Sequence, residues 1–245
     1  MTNEQPWYER AFAHEYLALY QHRSPVQGQQ QVNQMLSASL LPKHGVVLDL
    51  CCGAGRHLVP MRQSGLTAVG LDLSMDLLSS GSLAGLAVRA DARSIPFASD
   101  QFDVVTNLFS SFGYFPDDDA HHRVLQEVAR VLKPGGYLVI DHMNAEVTIK
   151  NLKPESVEER DGLTLRQRRR YDSENKRVIK DIEYTPEGMK PRHWFESVRL
   201  FTPKELDEFL TQAGFLFEAR YGDLDGSEFH LSTSRRQVVK ACLPA

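Results

Sequence analysis

Two glycines, Gly53 and Gly55, follow an apolar run at residues 46–50 in the stretch VVLDLCCGAGRH, and an acid, Asp49, stands near the end of that run. Glycine there lets the backbone turn sharply and removes the Cβ that would hold a ligand away. Two further apolar runs also end in an acid: Asp72 in GLDLS and Asp91 in RADA. An ionised carboxylate only accepts hydrogen bonds, so Asp72 can take both hydroxyl protons of a ribose diol. Its distance from the glycines is about the usual one for that task. Asp91 can accept from an exocyclic amine. Glycine, acid, acid suits an adenosine compound. It suits a dinucleotide less well, because the third position of G-x-G-x-x-G is Leu58. A pyrophosphate also prefers a helix N-terminus with no carboxylate beside it. Asp49 is better matched to an ammonium group, through water.

Such residues need strand ends to hold them. From residue 46 onward short apolar runs alternate with helix-compatible stretches: VVLDL, TAVGLDL, LAVRAD, FDVVTNLF and YLVIDHM. Before the last of these, DDDAHHRVLQEVARVLKPGG reads as a helix with acids in its first turn. Its apolar stripe is Val124, Leu125, Val128, Val131 and Leu132, and Lys-Pro-Gly-Gly stops it. Strands alternating with helices predict a parallel sheet buried on both faces. Ligands of such sheets bind beyond the carboxyl ends of the strands. Residues 7–22 and a stretch around 27–41 read as helices ahead of the sheet. Residues 162–201 read instead as three antiparallel strands. TPKELDEFLTQAGF follows as a helix with Thr202 as N-cap, Pro203 first and Gly214 at the stop. FLFEARYG and RQVVKAC are the last two strands.

The reading is thus α/β: a Rossmann-like, doubly wound, seven-stranded, mostly parallel sheet with an N-terminal helical cap and an antiparallel β insertion. The cap is residues 1–45 and the cofactor-binding core 46–144. A linker and the insertion (a lid or dimer contact) take 145–201. Residues 202–245 complete the core sheet.

The bulk numbers narrow the function. Lys+Arg 28 against Asp+Glu 32 gives a net charge of −4, which offers no general pull toward nucleic acid or anionic membrane. Three cysteines, two of them adjacent, make no disulfide framework and point to a reducing cytoplasm. The start MTNEQPWYER has no basic and apolar leader pattern, and no run approaches the roughly 18 apolar residues of a membrane span.

VVLDLCCGAGRH, GLDLS, RADARSIPF, FDVVTNLFSSFGYF and EVARVLKPGGYLVIDHMN together resemble the successive motifs of class I S-adenosylmethionine-dependent methyltransferases. The similarity is greatest to small bacterial methyltransferases with a FxSFGYF segment after the fourth strand. The resemblance implies S-adenosylmethionine as cofactor and S-adenosylhomocysteine as product. It implies Gly53 and Gly55 beside the methionine part, Asp49 near its amino group and Asp72 on the ribose hydroxyls. Leu73 would lie against adenine, Asp91 and the Ala92 N–H would meet its edge, and Asn107 and Leu108 would lie under the sulfonium. Tyr20 and Arg23, in the cap, would close over the carboxylate.

The acceptor side is less marked. His142 follows Asp141 at the end of the fifth strand, where it is either a base for the acceptor or a hydrogen-bonded wall. Tyr114, in SSFGYF, is a second candidate for base or acceptor positioning. Trp194, Phe195, Tyr184 and Phe201 line a cavity or form the apolar face of the insertion. His121 and His122 are read as a solvated helix face. Cys51 and Cys52 are read as small packing residues, and no metal site is expected. In RQRRR at 166–170, a turn at SENK sets Arg166 opposite Glu183, Arg168 opposite Asp181 and Arg169 opposite Lys180, which divides the cluster between two faces. The expected reaction is methyl transfer to a small molecule by direct in-line displacement. The alternatives are a tRNA or rRNA methyltransferase, a non-catalytic S-adenosylmethionine-binding protein and, more distantly, a nicotinamide dehydrogenase. Nucleic acid and membrane are not expected partners, and the protein is expected to be a monomer or homodimer.

Overall fold

The computed structural model describes residues 7–8, 25–81, 83–160, 163–186 and 188–245. Its main body is a sheet of seven strands: β1 (Val46–Leu50), β2 (Thr67–Asp72), β3 (Ala87–Arg89), β4 (Phe102–Asn107), β5 (Leu132–Met143), β10 (Leu216–Tyr221) and β11 (Arg236–Cys242). The order is β10-β11-β5-β4-β1-β2-β3. β3, β2, β1, β4 and β5 run parallel, and β11 is antiparallel to both its neighbours. The order reverses at β1, whose two neighbours are β2 and β4, so a crevice opens beyond the carboxyl ends of these three strands.

Both faces of the sheet are buried, as the apolar runs require. Leu48 and Leu50 of β1 face one core, under α4 (Asp118–Val131) and α6 (Pro203–Gln212). Val47 faces the other, under α1 (Pro25–Ser37) and α2 (Leu58–Gln63). The helix starts follow their sequences. Asp117 caps α4, and Thr202 with Glu205 forms a capping box at α6, with Pro203 in the first turn. Gly214 ends α6 region at φ +89°, where a side chain would be strained.

One side chain decides how closely α2 approaches the sheet. A Cβ at Gly70 in β2 would lie 2.6 Å from the Cys52 sulfur and 2.7 Å from Leu58 Cδ2. The close helix–strand contact that a third loop glycine provides in dinucleotide folds is here provided by a glycine on the strand, and Leu58 fills the gap.

The insertion is a second, antiparallel sheet, in the order β6 (Glu155–Arg160), β7 (Leu163–Asp172), β8 (Arg177–Pro186) and β9 (Arg192–Arg199). It has four strands rather than three. β6, Glu-Ser-Val-Glu-Glu-Arg, is an edge strand with little apolar alternation, which is why its pattern is silent in the sequence. The register of β7 with β8 is the expected one: Arg166 faces Glu183, Arg168 faces Asp181 and Arg169 faces Lys180. Arg170 pairs diagonally with Asp181 at 2.9 Å, and Arg168 pairs straight across to Glu155 of β6 at 3.4 Å.

His121 corrects the expected solvated face. It is fully buried, with Phe112, Phe201 and Phe115 around it at ring distances of 5.1, 5.2 and 5.6 Å. It precedes Val124 and Leu125 by three and four residues, so it belongs to their stripe. His122 stacks on Phe209. Tyr184 and Trp194 pack in the insertion's own small cluster, and Phe201 lies in the main core.

Candidate functional site

A cavity of about 500 Å³ lies at the crevice beyond β1, β2 and β4. Its floor is the loop after β1. Cys51, Gly53 and Gly55 all have positive φ there, at 63°, 55° and 80°. The loop is tied to β2 by a hydrogen bond from the Cys52 N–H to the Leu71 carbonyl, 3.0 Å. It is tied again by the Gly53 N–H, which donates to Asp72 Oδ2 at 2.7 Å. Asp72 Oδ1 accepts from the Ser74 N–H at 2.8 Å. Burial raises the Asp72 pKa, and these backbone donors oppose that rise.

The two glycines serve different ends. A Cβ at Gly53 would meet only Leu77 Cδ1, at 3.6 Å, and Gly53 lines the cavity. A Cβ at Gly55 would lie 2.4 Å from Leu83 Cδ2. Gly55 is buried and packs away from the cavity, so its small size is needed by the protein core.

Asp49 is buried yet lines the cavity. Thr106 Oγ1 donates to its Oδ1 at 3.1 Å, while its Oδ2 has no hydrogen-bond partner among the described residues. Burial, only partly offset by Thr106, pushes its pKa up to about 7, and nearby Asp72 adds to the rise. A buried carboxylate with an open acceptor calls for a cation or a donor from outside the protein.

Asp91 lines the cavity too, with Arg93 forked onto it at 2.5 to 3.1 Å. Burial would raise its pKa, but the Arg93 side chain outweighs this and holds it below the usual carboxylate value. Leu73, Ala92 and Leu108 are cavity residues as expected. Asn107 is not. It is buried beneath the floor, its Nδ2 donating to the Leu50 carbonyl at 3.4 Å. Tyr20 and Arg23 lie outside the described residues.

The acceptor candidates separate. Tyr114 lines the cavity at the end of a 3-10 turn, Ser111–Tyr114, and Trp7 packs edge-on against it at 5.3 Å. His142 does not reach the cavity. It is fully buried, and the site of a Gly113 Cβ would lie 2.9 Å from its Nε2, so the turn stands between His142 and the opening. Its Nδ1 meets the Met143 carbonyl at 3.0 Å, and burial pushes its pKa down to about 4. That geometry sets it behind the turn, out of contact with the cavity.

Several cavity residues were not singled out by the sequence reading. Tyr8 lines it from the cap, and Arg56 and His57 follow the second glycine. His57 Nε2 lies 2.9 Å from Gln31 Oε1. Burial, with Arg56 and Arg236 nearby, pushes its pKa down to about 3. Phe109 and Ser110 both hold positive φ, 59° and 61°, which is strained for non-glycine residues. The Phe109 ring carries the guanidinium of Arg56 at 4.4 Å and that of Arg236 at 4.7 Å. Arg236 is held by the buried Asp141 at 2.5 Å, and Asp141 also accepts from the Phe109 N–H at 3.0 Å. The strained turn is therefore pinned by one carboxylate.

The residues fit S-adenosylmethionine. Three carboxylates at successive strand ends line the cavity and suit a cationic ligand, one has an orphaned oxygen, and Gly53 leaves its side of the loop open. No group of histidines, cysteines or acids among the described residues is arranged to hold a metal ion.

Comparison with known proteins gives the same answer. Residues 47–136 match the methyltransferase domain family. YqeM, a Bacillus subtilis (strain 168) protein named as a methyltransferase, is 27% identical over 209 residues, 81% of this chain and 84% of YqeM. An S-adenosylmethionine-dependent methyltransferase from Clostridium acetobutylicum superposes with a TM-score of 0.78 at 16% identity, covering 96% of this chain and 99% of that one. The sugar N-methyltransferase KedS8 from Streptoalloteichus superposes with a TM-score of 0.69 at 22% identity, covering 94% and 93%. Residues 47–136 carry a methyltransferase domain, and over most of its length the chain is similar in sequence and fold to S-adenosylmethionine-dependent methyltransferases.

Proposed function

We propose that this enzyme methylates a small molecule held at the Tyr114 end of the cavity, by direct in-line displacement. The observation that carries the reading is the cavity itself: one enclosure of about 500 Å³ joins the acids at the strand ends to an aromatic wall of Tyr8, Phe109, Tyr114 and Phe115. Pockets of this size take drug-sized ligands. KedS8, a sugar N-methyltransferase by name, shares the fold and lends support to a small acceptor.

When bound, S-adenosylmethionine supplies a methyl group already made electrophilic by its sulfonium. The chain's own work is binding, alignment and exclusion of water. In this reading Asp72 accepts from the ribose hydroxyls through the lone pairs that Gly53 and Ser74 leave unused. Asp49 faces the amino group. Leu73 and Ala92 flank the adenine, and Asp91 meets its amine only by sharing with Arg93. Leu108 sits under the reacting end. The positions of Gly55 and Asn107 make them supports of the loop and strand, not contacts. Tyr114 orients the acceptor through its hydroxyl or, as the phenolate, takes the acceptor's proton. The free thiols of Cys51, Cys52 and Cys242 fit a reducing, cytoplasmic setting, and no helix among the described residues is long and apolar enough to cross a membrane.

The test is thermal unfolding with S-adenosylmethionine, S-adenosylhomocysteine, ATP or NADH, on wild type and Asp72→Ala. A ligand at 100 times its Kd adds about 2.7 kcal/mol of stability. A rise with the two sulfur nucleosides alone, lost in Asp72→Ala, supports the cofactor site. Release of S-adenosylhomocysteine in a screen of small amines, alcohols and phenols then identifies the acceptor. Turnover only with tRNA or rRNA would overturn the small-molecule reading.

A further inference from the structure

The acceptor wall is not held by the cofactor-binding core alone. Arg177 opens β8 in the insertion sheet, and its side chain is buried against the 3-10 turn. Its Nη1 donates to the Phe115 carbonyl at 2.9 Å. Its Nη2 donates to the carbonyls of Gly113 at 3.1 Å and Tyr114 at 3.4 Å. The same guanidinium is fixed from behind by β9, through the Ser197 hydroxyl at 2.7 Å and the Ser197 carbonyl at 2.8 Å. The last carbonyls of a helical turn have no donor within that turn. One planar fork reaches the carbonyls of Gly113, Tyr114 and Phe115 and ties them to β9.

The turn is also pressed onto that strand. A Cβ at Gly113 would lie 2.7 Å from the Arg199 carbonyl and 2.7 Å from Val198 Cγ1. Glycine lets the turn sit flush against β9, and Arg177 locks it there. Burial, with Arg199 beside it, pushes the Arg177 pKa down to about 10, so it stays cationic at neutral pH. Lysine offers one nitrogen in place of a planar fork and cannot serve the three carbonyls and Ser197 together.

We infer that Arg177 is a positioning residue for methyl transfer: it sets Tyr114 at the acceptor end of the cavity and makes the insertion sheet part of acceptor selection. This rests on the reading of the cavity given above. The insertion then acts through three backbone carbonyls, without itself touching the donor.

The experiment compares wild type, Arg177→Lys and Arg177→Gln, each in a Trp194→Phe background so that Trp7 is the remaining one of the two tryptophans. Binding of S-adenosylhomocysteine by calorimetry reads the cofactor half. Hydrogen exchange of peptides covering residues 110–116, with Trp7 emission, reads the wall. The expected result for Arg177→Lys is cofactor affinity within about twofold of wild type, exchange at least tenfold faster in that segment, and a red shift of Trp7. Peptides from β1 and β4 keep their wild-type rates. Wild-type exchange and emission at the wall in both variants would overturn the inference. So would equal acceleration throughout the core, which is general destabilisation; Arg177→Lys, the milder variant, guards against a chain that fails to fold. If wild type itself fails to bind S-adenosylhomocysteine, the cofactor reading falls, while the wall measurements still decide the role of Arg177.

Discussion

Asp72 Oδ2 accepts the Gly53 N–H at 2.7 Å, which joins the acid at the end of β2 to the glycine after β1 in a single unit. Position 72 therefore holds the loop, and in the proposed function it also receives the ribose. Asp72→Ala removes the acceptor of both Gly53 and Ser74, at a cost of about 1–3 kcal/mol. It also removes the contact proposed for the ribose. Calorimetry is expected to show at least a hundredfold loss of affinity for S-adenosylhomocysteine, well beyond the loss of stability in urea unfolding. Equal losses in the two measurements would mean that the residue only holds the loop.

The glycines should dissociate in the same two measurements. Gly55→Ala forces a Cβ to 2.4 Å from Leu83 Cδ2, at φ +80°. Overpacking and backbone strain of this kind cost about 1–3 kcal/mol each. Unfolding should show that loss, and Leu83→Ala in the same chain should relieve part of it. Gly53→Ala meets only Leu77 at 3.6 Å, so beyond its φ of +55° it has little to clash with in the protein. Its expected deficit is in cofactor affinity.

Asp49 should make cofactor binding pH-dependent. Burial raises its carboxyl from the usual 3.8 to about 7. A carboxyl raised on folding stabilises most below its unfolded value, and that contribution is lost as pH rises through about 7. A cation beside it favours the ionised form, so binding below pH 7 must expel a proton. Affinity for S-adenosylmethionine should rise up to roughly tenfold from pH 6 to 7.5, with proton release visible in buffers of different ionisation heat. Asp49→Asn should flatten that rise. An unchanged slope in Asp49→Asn would remove the carboxylate from the site.

What could be read from the chain follows physical lines. Strand-ending acids and glycines are local features, so Asp49, Asp72 and Gly53 were legible as residues that meet at one cavity, and the alternation of apolar runs carried the sheet that aligns them. Residues whose meaning depends on packing were not. Gly55 and Gly53 look alike in sequence, and only Leu83 separates them. His142 lies at a strand end like the acids, yet the turn carrying Gly113 covers it, and nothing local to either segment records that. β6 was silent because a charged edge strand lacks alternation. Nothing local to β8 sets Arg177 apart in the sequence, and its tie to residues 113–115 is a contact between distant segments. His121 was misread as solvated because its polarity masked its spacing on the stripe of Val124 and Leu125.

That buried histidine gives a test of acid stability. His121 has no hydrogen-bond partner for either ring nitrogen among the described residues, and burial pushes its pKa down to about 4 from 6.5. The unfolded chain binds this proton near pH 6.5 and the folded chain does not, so the stability it contributes is present above pH 6.5 and is lost as pH falls toward 4. At pH 5 the loss for one such group is about 2 kcal/mol. His121→Leu places a side chain that cannot take a proton among Phe112, Phe115 and Phe201. Urea unfolding at pH 7.5 should change by only about 1 kcal/mol. At pH 5 the variant should be more stable than wild type, although His57 and His142 still carry similar penalties. Identical pH dependence in the two proteins would mean that Asp118, whose Oδ1 lies 3.7 Å from His121 Nδ1, accommodates the charge in the folded state.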